Sequence, residues 1–213
     1  MQPSVNIIPL FPLHTVLFPG MLLPLHIFEE RYKIMISRCL AHDGMFGVVK
    51  IRKGKEVGGP AEPEEIGTIA RIVSAGKYPD GRMDLLTVGK ERFRILRLID
   101  DEPYLQAEIE FLRDEEEDER EVSILAEEVR DLISDYRKKA GIKGSSDEIS
   151  HDIQSLSFVA GALHIPLSEK QKILECTSAR QRLNWVAKHL RAEISLLDKI
   201  GPTRPIIEPD GDI

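Results

Sequence analysis

Four side chains in the first fifth of the chain, His14, His26, Cys39 and His42, are of the types that hold a metal ion. Cys39-Leu-Ala-His42 has the spacing of a ligand pair, and the two earlier histidines would complete a tetrahedral zinc site. Their surroundings argue for a plainer role. His14 and His26 stand at turns beside proline-rich apolar segments. Cys39 lies on a helical stretch, where a thiol packs as a small hydrophobe. The packing reading is preferred, and neither a metal nor any other cofactor is expected.

A second cluster is basic: Lys90, Arg92, Arg94 and Arg97. Arg92 and Arg94 should share one face of a strand, which makes them a candidate anion or RNA patch. The competing reading, and the favoured one, is a solvent-facing strand side whose arginines pair with acids such as Glu91 and Asp101. Covalent and nucleotide chemistry find less support. The nearest approach to a phosphate loop, Gly141-Ile-Lys-Gly144-Ser145-Ser146, lacks the lysine directly before the hydroxyl residue. Neither a GxSxG elbow nor an HExxH helix occurs. Ser168 and Lys170 fall in what reads as a helix cap and not in a converging nucleophile–base pair. No catalytic residue is assigned, and the chain is not expected to be an enzyme.

The elements that would position these residues begin with an unusual segment. From Asn6 to Phe28 the chain is apolar and uncharged, and Pro9, Pro12, Pro19 and Pro24 punctuate it. Proline fixes φ and donates nothing to a ladder, so one long helix or one central strand is excluded. Short extended pieces joined by turns are expected, with Pro19-Gly20 the sharpest turn, followed by a helix opening at Glu29-Glu-Arg-Tyr-Lys33. No basic residue precedes Arg31, and the proline spacing forbids a spanning helix, so neither a secretory signal nor a membrane span fits.

Downstream, Phe46–Ile51, Ile66–Ala75, Met83–Val88 and Arg92–Leu98 read as strands. Tyr78-Pro-Asp-Gly81 is a hairpin turn, Gly89 an interruption, and 53–65 a mobile loop. In Tyr104–Phe111, Leu105, Ala107, Ile109 and Phe111 share a buried face by strict alternation. From the acidic run Asp114–Glu119 the pattern turns helical. Val122, Leu125, Val129, Ile133 and Tyr136 form one apolar stripe. Ile149, Ile153, Leu156 and Leu163 form a second, Ile173 and Leu174 a third, and Leu183, Val186, Leu190, Ile194 and Leu197 a fourth. Capping boxes are expected at Ser145…Glu148, Ser168…Gln171 and Ser178…Gln181. The expected organisation is a β-rich domain over 5–113, a helical bundle over 114–200 and a disordered tail over 201–213, an α+β class and not a βαβ one.

The net charge is −7. Residues 1–113 carry 15 basic and 15 acidic side chains, so all of the excess falls on 114–213, with 14 against 21. A negative field repels phosphate backbones and weighs against nucleic acid as a partner. The two cysteines, Cys39 and Cys176, lie far apart and suit a reducing compartment, so a soluble cytoplasmic protein is expected.

Several segments carry a resemblance. Pro9-Leu-Phe-Pro-Leu13, Val16-Leu-Phe-Pro-Gly20, Leu23-Pro-Leu25 and Ile27-Phe-Glu-Glu-Arg-Tyr32 resemble the N-terminal domain of the Lon protease family. Phe46-Gly-Val-Val49, Glu65-Ile-Gly-Thr-Ile-Ala70 and Gly89-Lys-Glu-Arg-Phe-Arg94 follow at the same spacing, and Lys170-Gln-Lys-Ile-Leu-Glu175 with Ala179-Arg-Gln-Arg-Leu183 are similar to that family's bundle. The resemblance covers about residues 5–200. It implies a PUA-like β pseudo-barrel followed by a C-terminal helical bundle. It also implies a stand-alone bacterial form, because the sequence stops where the ATPase and the serine–lysine protease domains would start. The function implied is a non-catalytic protein- or peptide-binding module, linked to protein quality control or proteolysis, with unfolded or partner polypeptides as its partners. The alternative is an RNA-binding PUA-like protein. No oligomeric state is assigned. A crevice between the β domain and the helical bundle, or a strand added to an open barrel edge, is the expected binding mode. Met21 and Leu22, with Arg31 and Tyr32 at the helix start, would line that surface; the competing reading makes Met21, Leu22 and Tyr32 ordinary core and rim.

Overall fold

The computed structural model describes residues 6–59, 61–142, 150 and 152–200. The cap expected at Ser145…Glu148 and the tail from 201 onward lie outside the described residues. Chain contacts gather two units. One takes Met1–Glu116 and Phe158–Ser178; the other takes Glu117–Ser157 and Ala179–Ile213.

The first unit holds β1 (Asn6–Leu13), β2 (Leu22–Ile27), α1 (Glu30–Leu40), β3 (Met45–Gly54), β4 (Ala61–Lys77), β5 (Met83–Ile99) and β6 (Gln106–Phe111). The strand order is β2-β5-β4-β3-β1-β6, and β6 also pairs with β5, so the run from β5 to β6 closes on itself and β2 is added outside. β5 manages both tasks by its length. Met83–Val88 pairs with β2, and Phe93–Ile99 pairs with β6. The interior of this pseudo-barrel takes side chains from every closing strand: Leu10, Val49, Ile69, Phe93, Ala107 and Ile109. A second core lies under α1, whose buried face of Tyr32, Met35, Ile36 and Cys39 follows helical spacing. That face packs on Phe11, Leu13, Phe46, Val48 and Leu85.

The proline-rich opening forms two strands and a turn between them, as expected. Yet β1 lies between β3 and β6, a position that the prolines seemed to forbid. The register removes the conflict. Asn6–Pro9 pairs only with β6, and Leu10–Leu13 pairs only with β3, so each half is an edge, where proline is tolerated. The turn is closed by the Met21 amide donating to the Phe18 carbonyl at 3.1 Å, with Gly20 at φ 78°. That is the left-handed position a type II turn requires after its proline.

Three other expectations change. Gly89 does not interrupt β5; it exchanges backbone hydrogen bonds with the opening turn, donating to Met21 O and accepting from Gly20 N, both at 2.9 Å. A Cβ there would lie 2.1 Å from the Phe18 carbonyl oxygen, so glycine is needed for close approach and not for a break. The 53–65 loop is shorter than expected, because β3 runs to Gly54 and β4 starts at Ala61. The Ser168 capping box does not form: α4 (Leu167–Glu175) starts after Pro166, and Gln171 instead donates to the Ile66 carbonyl at 3.1 Å and to Glu175 at 2.9 Å.

The second unit is helical, with α2 (Glu119–Lys139), α3 (Ile153–Ser157) and α5 (Ala179–Ile200). Asp118 caps α2 by accepting from the Arg120 and Glu121 amides. Arg180 pairs with Glu121, Arg191 with Glu128, and Lys139 with Asp198, so α2 and α5 run parallel. Between them lie Val122, Val129 and Ile133 from α2 and Leu183, Val186 and Leu190 from α5, all buried. No helix among the described residues is long and apolar enough to cross a membrane.

Candidate functional site

The two arginines expected on one strand face have different surroundings. Arg92 is 4% exposed. Its guanidinium donates to the Leu174 carbonyl at 2.5 Å and the Cys176 carbonyl at 2.8 Å, pairs with Asp114, and stands 5.2 Å over the Phe158 ring. It therefore ties the end of α4 and the segment after β6 to the barrel wall. Arg94 reaches solvent and pairs with Glu110 at 3.1 Å; Arg97 does the same with Glu108 at 3.4 Å. An anion patch built on Arg92 and Arg94 thus lacks Arg92, whose fork is directed at protein carbonyls and a carboxylate.

The four residues of the opening segment and helix start divide likewise. Tyr32 is buried and stacked on Phe11 at 4.1 Å, and Met21 packs half-buried against the same core. Burial raises the Tyr32 phenol above its ordinary value. Arg31 covers Tyr32 at 4.5 Å and pairs with Glu29 at 3.1 Å. Leu22 alone presents most of its side chain to solvent, 57%. Met21 and Tyr32 thus share a core, and Leu22 stands apart from it on edge strand β2.

The metal-type residues are dispersed in role. His26 Nδ1 lies 2.6 Å from an Asp84 carboxylate oxygen, and the Tyr78 hydroxyl donates to the other at 2.5 Å. Burial, reinforced by Asp43, pushes the Cys39 thiol up to about 11, so it is a buried packing group. Among the described residues, no three His, Cys, Asp or Glu side chains gather as a metal site.

A cleft of about 680 Å³ opens wholly within the sheet unit, between the start of β1 and the turn after α1. Its walls are apolar at Ile7, Pro9, Met45 and Phe111 and polar at Glu91 and Gln106. Ile7 is 51% exposed, Met45 37% and Phe111 48%, so the apolar wall is wetted. At the back, Arg38 pairs with Glu102 at 2.7 Å and donates to the Tyr104 hydroxyl at 3.0 Å. Asp43 accepts from the Met45 amide at 3.0 Å. Glu91 makes no ion pair among the described residues. Sequence reasoning missed this site. It placed Phe111 on the buried face with Ala107 and Ile109, which are buried, but Phe111, the last residue of β6, is exposed. The available signal was the alternation itself, carried one rung too far.

Residues 7–192 match the substrate-binding domain of ATP-dependent protease La (LON). The Lon protease of Dictyoglomus thermophilum is 26% identical over 206 residues, covering 92% of this chain and 26% of its own. That of Brucella suis is 31% identical over 192 residues, covering 85% of this chain and 23% of its own. The chain thus spans about a quarter of the length of the Lon proteases it matches. Two solved structures share the fold. The N-terminal domain of Mycobacterium avium complex Lon protease has a TM-score of 0.68 at 18% identity, covering 87% of this chain and 98% of that one. The Lon N-terminal domain protein from Xanthomonas campestris has a TM-score of 0.63 at 24% identity, covering 86% and 98%.

Proposed function

Because the chain belongs to the Lon substrate-binding domain family, we propose that it is a non-catalytic module that recognises polypeptide segments in a folded-state defect or an unfolded chain, in connection with proteolysis. The observation that carries this reading is the wetted apolar wall of the cleft, where Ile7, Met45 and Phe111 stand half-exposed beside the polar side chains of Glu91 and Gln106. A folded protein gains by covering such a patch, and an unfolded polypeptide supplies what covers it: apolar side chains and backbone groups that lack internal partners. Recognition of this kind needs neither a nucleophile nor a bound ion. It is a binding equilibrium, driven by removing apolar area from water and oriented by a few hydrogen bonds.

The RNA alternative draws no support from the arginines: Arg92 is buried, and Arg94 and Arg97 are matched by Glu110 and Glu108. The test is an affinity copurification from cells in which proteins and RNA are scored together by mass spectrometry and sequencing. Enrichment of incompletely folded proteins without RNA is the expected outcome. Recovery of RNA in stoichiometric amount, lost on adding salt, would overturn the reading.

A further inference from the structure

The cleft has a free strand edge, and its chemistry narrows what it takes. The Leu10 amide donates to the Leu105 carbonyl at 2.8 Å, so the N–H and C=O of Leu10 face β6. Successive residues of a strand face opposite sides, so the N–H and C=O of Ile7 face the other side, toward β3. The β1–β3 pairing starts only at Leu10↔Gly47. Among the described residues, no strand therefore stands opposite Ile7, and its backbone groups look into the cleft beside the side-chain amides of Asn6 and Gln106. The acidic and basic side chains there are Arg38, His42, Asp43 and Glu91. Arg38 is matched by Glu102, whereas Glu91 and Asp43 make no ion pair among the described residues.

We infer that the cleft takes an extended peptide as an added strand along Asn6–Pro9, and that it selects segments carrying lysine or arginine next to apolar residues. The inference rests on the polypeptide-binding reading above and deepens it. The peptide backbone would exchange its N–H and C=O with those of Ile7. Its alternate apolar side chains would cover Ile7, Met45 and Phe111, and its cation would meet Glu91 and Asp43. Main-chain bonds of this kind supply affinity, and the pockets and charges beside them supply selectivity.

The test is fluorescence anisotropy at low ionic strength with two labelled peptides, alternating valine and threonine, one flanked by lysines and its twin by glutamates. A saturable titration with reduced, carboxymethylated lactalbumin runs alongside. The lysine peptide should bind at least about tenfold tighter than its twin. N-methylation of its central residues should weaken it, because an added strand then loses its donors. Glu91→Lys should abolish the charge preference, because the new ammonium offsets Asp43, and Phe111→Ser should weaken both peptides by about tenfold, while urea titration shows both variants folded. Equal binding of the twins, or variants that bind as the parent does, overturns the inference. If that occurs while lactalbumin still saturates the protein, strand addition fails and the general reading stands. If lactalbumin does not bind either, both fall.

Discussion

At Arg92 one buried guanidinium serves Asp114 and the carbonyls of Leu174 and Cys176. Taking it away removes a shared donor from groups that are themselves largely out of water, and the cost of breaking a buried pair exceeds its net worth when intact. Arg92→Ala is expected to lower the unfolding free energy by about 3–5 kcal/mol in a urea titration, and Arg92→Lys to recover only part, since an ammonium cannot reproduce the fork. A loss below about 1 kcal/mol would show that the site is solvated and inessential. Cys39 gives a second residue-level expectation. With its thiol pushed up to about 11 by burial and Asp43, almost no thiolate is present near neutral pH. In native protein at about pH 8, iodoacetamide should label Cys176 well before Cys39, and urea should erase the difference. Equal native labelling, read by mass spectrometry, would contradict the burial. The packing role of Cys39 was read from its place on a helical stretch, whereas Arg92 was visible only as a type and not in role. Nothing in Lys90–Arg97 separates an arginine facing solvent from one covered by a segment roughly 80 residues later.

Elements are where the sequence was most legible and where its errors have clear causes. The hairpin at Tyr78–Gly81, α1 and the long apolar stripes of α2 and α5 follow from period and turn chemistry alone. The continuity of β5 through Gly89 does not, because a glycine placed for backbone approach reads the same as one that ends a strand. Gly89→Ala would drive a Cβ to 2.1 Å from the Phe18 carbonyl oxygen, lifting the opening turn from β5. A loss of about 3 kcal/mol is expected, together with a lower thermal midpoint; an unchanged midpoint would mean that the turn is not seated there. The edge strand β2 carries a pH-dependent contact. Hydrogen bonds from His26 and then Tyr78 hold the Asp84 carboxyl below its ordinary value. In acid the native state therefore binds fewer protons than the unfolded chain. The stabilisation is complete above the ordinary carboxylate range and is lost as pH falls through the folded value. Asp84→Asn should lower the urea midpoint at near-neutral pH and converge on the parent as pH falls through the lowered carboxyl value. A difference that stays constant across that range would rule out the linkage.

For the whole molecule, the opening segment and its spacing to Phe46-Gly-Val-Val49 and Gly89-Lys-Glu-Arg-Phe-Arg94 were enough to recognise the Lon N-terminal family, and the match over residues 7–192 agrees. Those residues build the closed sheet, so the fold was legible in them. The cleft was not, because Ile7, Met45, Glu91 and Phe111 are brought to one place by barrel closure from four separate strands. A site assembled in that way leaves no local pattern. The proposed activity is likewise a property of the assembled surface: affinity for unfolded polypeptide without any chemical step. It is tested most directly by titrating the protein with a permanently unfolded polypeptide, reduced and carboxymethylated, in a calorimeter, and then examining that polypeptide by mass spectrometry. The account predicts saturable binding with a negative heat-capacity change, as apolar surface leaves water, and a polypeptide recovered intact. Absence of saturable heat, or a cleaved polypeptide, would contradict it.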